Sequence, residues 1–258
     1  MLNTKPVFDV RQVSFEYEGK QTALDHIDLS VHAGESLIIL GANGSGKSTL
    51  LKLLDGLYFP TGGEIQAFGN PVTEEALRDD EFNFAFRRRV GLIFQDTDVQ
   101  LFSASVLDEV AFAPLQLGLP RDEVNRRVDS ALEALRIEKL RERAPHRLSG
   151  GEKRRVALAS LLSLNPDVWL LDEPTTGLDP RSQSWLVEFI LKQRNEGKTV
   201  ITATHDLTLA EEIASRICVF SEDHQVVAAG DPQEILEDHD LLHHCNLAHY
   251  HAHRLEQA

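Results

Sequence analysis

Residues 34–58 read GESLIILGANGSGKSTLLKLLDGLY. Residues 34–41, GESLIILG, form a short apolar run bounded by glycines, the mark of a buried strand. Residues 48–58, STLLKLLDGLY, carry helical periodicity. Between them GANGSGKS fits G-x-x-x-x-G-K-[ST] at every fixed position, in the strand–loop–helix setting that gives the pattern its meaning. Gly44 and Gly46 let the backbone wrap closely, so that N–H groups along Gly41, Ala42, Asn43, Gly44, Ser45, Gly46, Lys47, Ser48 and Thr49 turn inward around a phosphate. The helix that follows adds the positive end of its dipole. Lys47 is expected to reach the β- and γ-phosphates of a nucleotide and Ser48 to ligate Mg²⁺.

Strand and helix patterns alternate outward from this loop. Residues 7–17, VFDVRQVSFEY, end in alternation, with Val13, Phe15 and Tyr17 on one face and Ser14 and Glu16 on the other. The stretch from about 96 to 165 reads as a helical insertion. Beyond it the chain returns to strand–helix alternation: DVWLLDEP, RSQSWLVEFILKQRNEG, TVITATH, DLTLAEEIASR, ICVF and QVVAAG. The predicted fold is α/β, with a parallel core, a β subdomain and a helical subdomain. One ATPase domain is placed at 5–238 and a His-rich tail at 239–258.

Composition narrows the function. The 258 residues carry a formal net charge of −15, which disfavours direct contact with nucleic acid or anionic lipid. MLNTKPVFDV lacks a signal-peptide pattern, and no apolar stretch is long enough to span a bilayer. Two cysteines, Cys218 and Cys245, make no disulfide framework, so a reducing cytoplasm is expected. Any membrane contact is expected to run through a partner.

VWLL at 168–171 leads into Asp172 and Glu173, two carboxylates at the C-terminal end of a buried strand, where α/β sheets bind ligands. Asp172 is expected to hold Mg²⁺ through water and Glu173 to act as general base on an attacking water. His205 follows TVITAT and is expected to sense the γ-phosphate in the transition state. Gln95, after GLIF, is a neutral polar group suited to Mg²⁺ or the attacking water.

A second glycine pair lies in LSGGEKRRVALA at 148–159. Ser149 and Glu152 form the S-x-x-E capping box of a helix. Gly150 and Gly151 are poor helix formers unless another backbone or ligand must come close. Exposed N–H groups, a serine hydroxyl and a positive helix end make a second phosphate site. The first loop already serves one nucleotide, so the economical arrangement is a two-fold pair in which each LSGGE covers the phosphate held by its partner.

GANGSGKST, Gln95, LSGGE, VWLLDEP, GLDP and His205, in this order over nearly the whole chain, resemble an ATP-binding-cassette ATPase subunit. The resemblance implies ATP and Mg²⁺ as ligands, an ATP-sandwich dimer, Asp179 of GLDP in a loop touching the partner, and Tyr17 stacked on adenine. Residues 95–119, QDTDVQLFSASVLDEVAFAPLQLGL, resemble the ATPase subunits of energy-coupling-factor importers, especially the cobalt/nickel branch. There this region contacts integral-membrane components, which implies a place at the cytoplasmic face of the membrane. Asp96 and Thr97 stand where Asn-Pro is frequent, and Val99 where an acid is frequent, which leaves the sub-branch open.

Six of the eleven histidines lie between His239 and His253, with Cys245 among them, a donor set suited to Ni²⁺, Co²⁺ or Zn²⁺. An exposed tail that titrates near neutral pH is the plainer alternative. Vitamin-type importers and soluble family members remain alternatives at this point. The absence of sustained heptads argues against a DNA-repair relative, and intact Glu173 and His205 argue against a non-hydrolysing regulator.

Overall fold

The computed structural model describes residues 5–19 and 21–248. Two sheets share the chain. The smaller is antiparallel, in the order β2 (Gln21–Val31), β1 (Phe8–Tyr17), β4 (Gly62–Ala67), β5 (Asn70–Pro71). The larger has six strands in the order β10 (Val226–Gly230), β9 (Arg216–Phe220), β3 (Ser36–Gly41), β8 (Thr199–Thr204), β7 (Val168–Asp172), β6 (Val90–Ile93). Its pairings are parallel except β10 with β9.

All six residues of β3 are buried. Successive side chains of a strand leave on opposite faces. Leu37 and Ile39 accordingly join a core with the small sheet and α1 (Lys47–Leu54), while Ile38 and Leu40 join one with the helical region. Burial on both faces explains why this strand reads as an unbroken apolar run.

Register lines up the strand ends. Leu40 pairs with Thr204, and Asp172 pairs with Ala203. The phosphate loop, the Asp172–Glu173 pair and His205 therefore leave neighbouring strands at one edge of the sheet. The expectation that the His205 strand lies beside the carboxylate strand holds, and that strand also separates the carboxylates from β3.

Residues 96–165 contain α3 (Val106–Gln116), α4 (Arg121–Ala134) and α5 (Gly150–Leu164), packed on one another through Val110, Val128, Leu132 and Val156. The remaining helices are α2 (Asp80–Arg89), α6 (Pro180–Asn195), α7 (Leu207–Ile213), α8 (Pro232–Glu237) and α9 (His239–His244). Strands β2, β4, β5 and β6 and helices α2, α8 and α9 are additions to the sequence reading. Helix α2 is legible in retrospect: Asp79 caps it by accepting from the N–H of Phe82 at 2.8 Å, acids open it, and three arginines close it.

The boundary placed at residue 238 falls inside the packed body. Leu242 and Cys245 are buried in the larger core, so α9 is held against it. This also corrects the metal-ligand reading of Cys245: its thiol points into the core, and burial pushes it above the ordinary thiol range. Among the described residues no cluster of three or more His, Cys, Asp or Glu is arranged to hold a metal. His249, His251 and His253 lie outside the described residues. Among the described residues no helix is long and apolar enough to cross a membrane.

Candidate functional site

The cleft at the sheet edge has a volume of about 380 Å³ and takes in Tyr17, Asn43, Lys47, Ser48, Gln95 and Glu173. The tight wrap of its loop depends on Gly46. Its φ is +105°, and a Cβ there would come within 2.2 Å of the Ala23 carbonyl oxygen. The loop closes on Lys47, whose buried Nζ donates to the carbonyls of Gly41 (2.8 Å) and Ala42 (2.9 Å) and lies 3.6 Å from Glu173 Oε1. Burial holds the Lys47 ammonium below its ordinary pKa, against the pull of Glu173 and Asp172.

Ser48 Oγ donates to Asp172 Oδ1 at 2.8 Å, so the two expected magnesium ligands already touch. Burial raises the Asp172 carboxyl, the Ser48 hydrogen bond lowers it, and the Glu173 charge raises it further. A cation at this place would favour the ionised form. The hydroxyl, the carboxylate and the Gln95 side chain supply hard oxygen donors, which fit Mg²⁺.

Glu173 sits at φ +44°, a left-handed conformation unusual for a side chain of its size. Its N–H reaches back to the Ala203 carbonyl at 2.9 Å, which pins this turn to β8. Thr204 Oγ1 donates to Oε2 at 3.3 Å, and His205 Nδ1 lies 2.9 Å from Oε1. In this geometry His205 contacts the expected base, and it stands outside the residues that line the cleft.

Tyr17 also lines the cleft, its hydroxyl 2.8 Å from Thr49 Oγ1. Its ring meets Phe15 and Tyr58 edge-on.

The second glycine loop is elsewhere. Ser149, Gly150, Gly151 and Glu152 do not line this cleft. Ser149 caps α5, and Glu152 returns a bond to the Ser149 N–H at 2.8 Å, completing the expected capping box. Ser149 and Gly150 are exposed. A Cβ on Gly150 would meet nothing within 4 Å, and one on Gly151 would meet only Leu178 at 4.0 Å. Asp179 is also outside the cleft; it caps α6, accepting from the N–H groups of Arg181 and Ser182.

Several contributors escaped the sequence reading. Arg154, buried in α5, donates to the carbonyls of Phe94 (2.9 Å) and Gln95 (2.8 Å) and so ties this helix to the cleft. Its place in the basic run KRR was visible, but its inward direction was not. Gln100 braces the same loop, accepting from Phe94 N–H and donating to the Leu92 carbonyl. Thr204, Thr22 and His224 carry no local signal at all. Val99 (73% exposed), Phe102 (68%), Phe112 and Leu115 are large apolar side chains left exposed after this loop and along α3. The Phe102 and Phe112 rings meet edge-to-face at 5.1 Å.

The chain matches the family model described as ABC transporter over residues 24–176. The nickel import ATP-binding protein NikO of Rhodobacter capsulatus is 49% identical, over 94% of this chain and 96% of its own length. Among solved structures, cbiO1 of Clostridium perfringens, described as part of the ABC transporter complex cbiONQ, aligns with a TM-score of 0.79 at 36% identity, over 95% of this chain and 96% of that one. An ATP-binding cassette solved as a dimer in a post-hydrolysis state with ADP and Pi also aligns at 0.79, with 29% identity, over 87% of this chain and 98% of its own.

Proposed function

The chain belongs to the ABC transporter family as an ATP-hydrolysing transport subunit, and from that premise we propose that it drives an importer of the energy-coupling-factor type whose cargo is nickel or cobalt. The observation that carries the reading is the convergence of Lys47, Ser48, Gln95 and Glu173 on one cleft, with Asp172 hydrogen-bonded to Ser48 and His205 to the base. Similarity to NikO supports the cargo.

In this reading Lys47 and the N–H groups of the loop bind the β- and γ-phosphates of ATP. Ser48, Asp172 and Gln95 would hold Mg²⁺, which when bound would supply positive charge against the developing charge of the phosphates. Glu173 takes a proton from water as the water oxygen bonds to the γ-phosphorus. The bond from that phosphorus to the β–γ bridging oxygen breaks, giving ADP and phosphate. His205 and Thr204 keep the carboxylate aimed, and Tyr17 stacks on the adenine.

Two chains close the site. Ser149, Gly150, Gly151 and Glu152 of each protomer face the γ-phosphate bound by its partner, with Asp179 at the seam. The glycine pair supports this arrangement, because the chain itself leaves room for side chains there. In this reading the exposed side chains of Val99, Phe102, Phe112 and Leu115 meet an integral-membrane component, and the subunit works peripherally at the cytoplasmic face.

The test is reconstitution of this chain with its membrane components in proteoliposomes, followed by uptake of radiolabelled Ni²⁺ or Co²⁺. ATP-dependent uptake that Glu173→Gln abolishes is the expected result. ATP-dependent uptake of another cargo would overturn the metal assignment, and failure of this chain to bind its membrane components would overturn transport.

A further inference from the structure

We infer that His224 is a nucleotide-binding residue, its imidazole meeting the sugar–phosphate part of ATP. This rests on the cleft being the ATP site.

His224 lies in the turn between β9 and β10, yet it lines the cleft together with Thr22, Ala23, Gly46, Lys47 and Thr49. The turn is docked. Asp25 N–H donates to the His224 carbonyl at 3.0 Å, and Gln225 Nε2 donates to Asp25 Oδ2 at 2.6 Å. Asp25 belongs to β2, and two residues earlier in that strand the Ala23 carbonyl lies against Gly46. Turn, strand and phosphate loop thus form one connected unit, which sets where the imidazole stands.

Two unfavourable features mark the residue. Its φ is +64°, a left-handed conformation that glycine adopts without steric cost and histidine does not. Its Nδ1 is buried without a hydrogen-bond partner, a further cost. Among the described residues His224 makes no ring contact or side-chain hydrogen bond, and its one charge partner is the Asp25 carboxylate, which is itself engaged by Gln225 and His26. A turn alone would be better served by glycine, so the side chain is the reason for histidine here. With Nδ1 enclosed, Nε2 is the nitrogen that can meet a ligand. Protonated there, the neutral ring presents a donor, and ribose and phosphate oxygens are acceptors.

His224→Gly in the full-length chain separates the two roles. If the residue only shapes the turn, glycine leaves nucleotide affinity untouched and holds or raises the melting temperature. If it binds nucleotide, the melting temperature of the nucleotide-free protein still holds or rises. Kd for ATP and for ADP then increases roughly three- to tenfold, the loss appearing in KM more than in kcat. His224→Asn, which tolerates the same backbone, gives the reading should the glycine variant fail to fold. Wild-type Kd in a folded variant overturns the inference. Lys47→Ala, run in parallel, tests the cleft itself: ATP affinity unchanged by that substitution would remove the ATP site, whatever His224 does.

Discussion

The two glycine-bearing helix starts differ in who needs their glycines. At the phosphate loop the chain's own packing demands one: a Cβ on Gly46 would strike Ala23. The loop there is lined, its lysine is buried, and its serine is engaged by Asp172. At Ser149–Glu152 the same kind of helix start opens with Ser149 and Gly150 exposed, and among the described residues the polar partners of its cap lie within the loop and on Arg143 and Arg155. Among the described residues nothing stands in the way of a Cβ on Gly150 or Gly151. A site finished by its own fold and a site left for another molecule can therefore be told apart by asking what a methyl group would hit.

Four substitutions break or sharpen this contrast. Glu173→Gln removes the proton acceptor in the finished site. Hydrolysis should fall by roughly 10²–10⁴-fold, while ATP stays bound and size-exclusion chromatography shows an ATP-dependent dimer. A strictly monomeric ATP-bound variant would end the two-chain account. Ser149→Arg fills the open site. Turnover should drop by roughly 10²-fold, as when phosphate-facing donors are lost, with ATP binding to the isolated chain unchanged by calorimetry. Full turnover would make α5 an ordinary capped helix.

Lys47→Ala acts on the finished site alone. Charged hydrogen bonds are worth about 1.5–3 kcal/mol, so nucleotide affinity should weaken by roughly ten- to a hundredfold, measured by titration with a fluorescent nucleotide. Arg154→Gln loosens the strut between the two regions. Two carbonyls lose a charged donor, so a stability loss of about 1–3 kcal/mol is expected in denaturant titration. A higher Mg²⁺ requirement for hydrolysis should accompany it, because Gln95 is no longer held; unchanged Mg²⁺ dependence would limit Arg154 to folding.

The contrast extends to what could be read in advance. The phosphate loop was legible because its chemistry is local: a strand, nine consecutive residues and a helix specify it. The capping box of Ser149 and Glu152 was legible for the same reason, and it formed. His205 was placed on the correct strand, but its hydrogen bond to Glu173 depends on register between β7 and β8, which no short motif encodes. Cys245 was misjudged from histidine-rich neighbours, since composition cannot tell a tail from a last helix with one buried face.

The sequence by itself determined the chemistry: which residue types bind phosphate, which carboxylates follow a buried strand, and that two helix starts bear glycines, because these features lie within a few bonds of one another along the chain. Only the tertiary structure decided which of them meet. Strand order set Glu173 beside His205, the fold turned Arg154 inward onto Gln95, and the β9–β10 turn brought His224 to Thr22 across some two hundred residues. Long-range pairing follows from burying both faces of a sheet at once, a condition that involves the whole chain and so is written in no single segment.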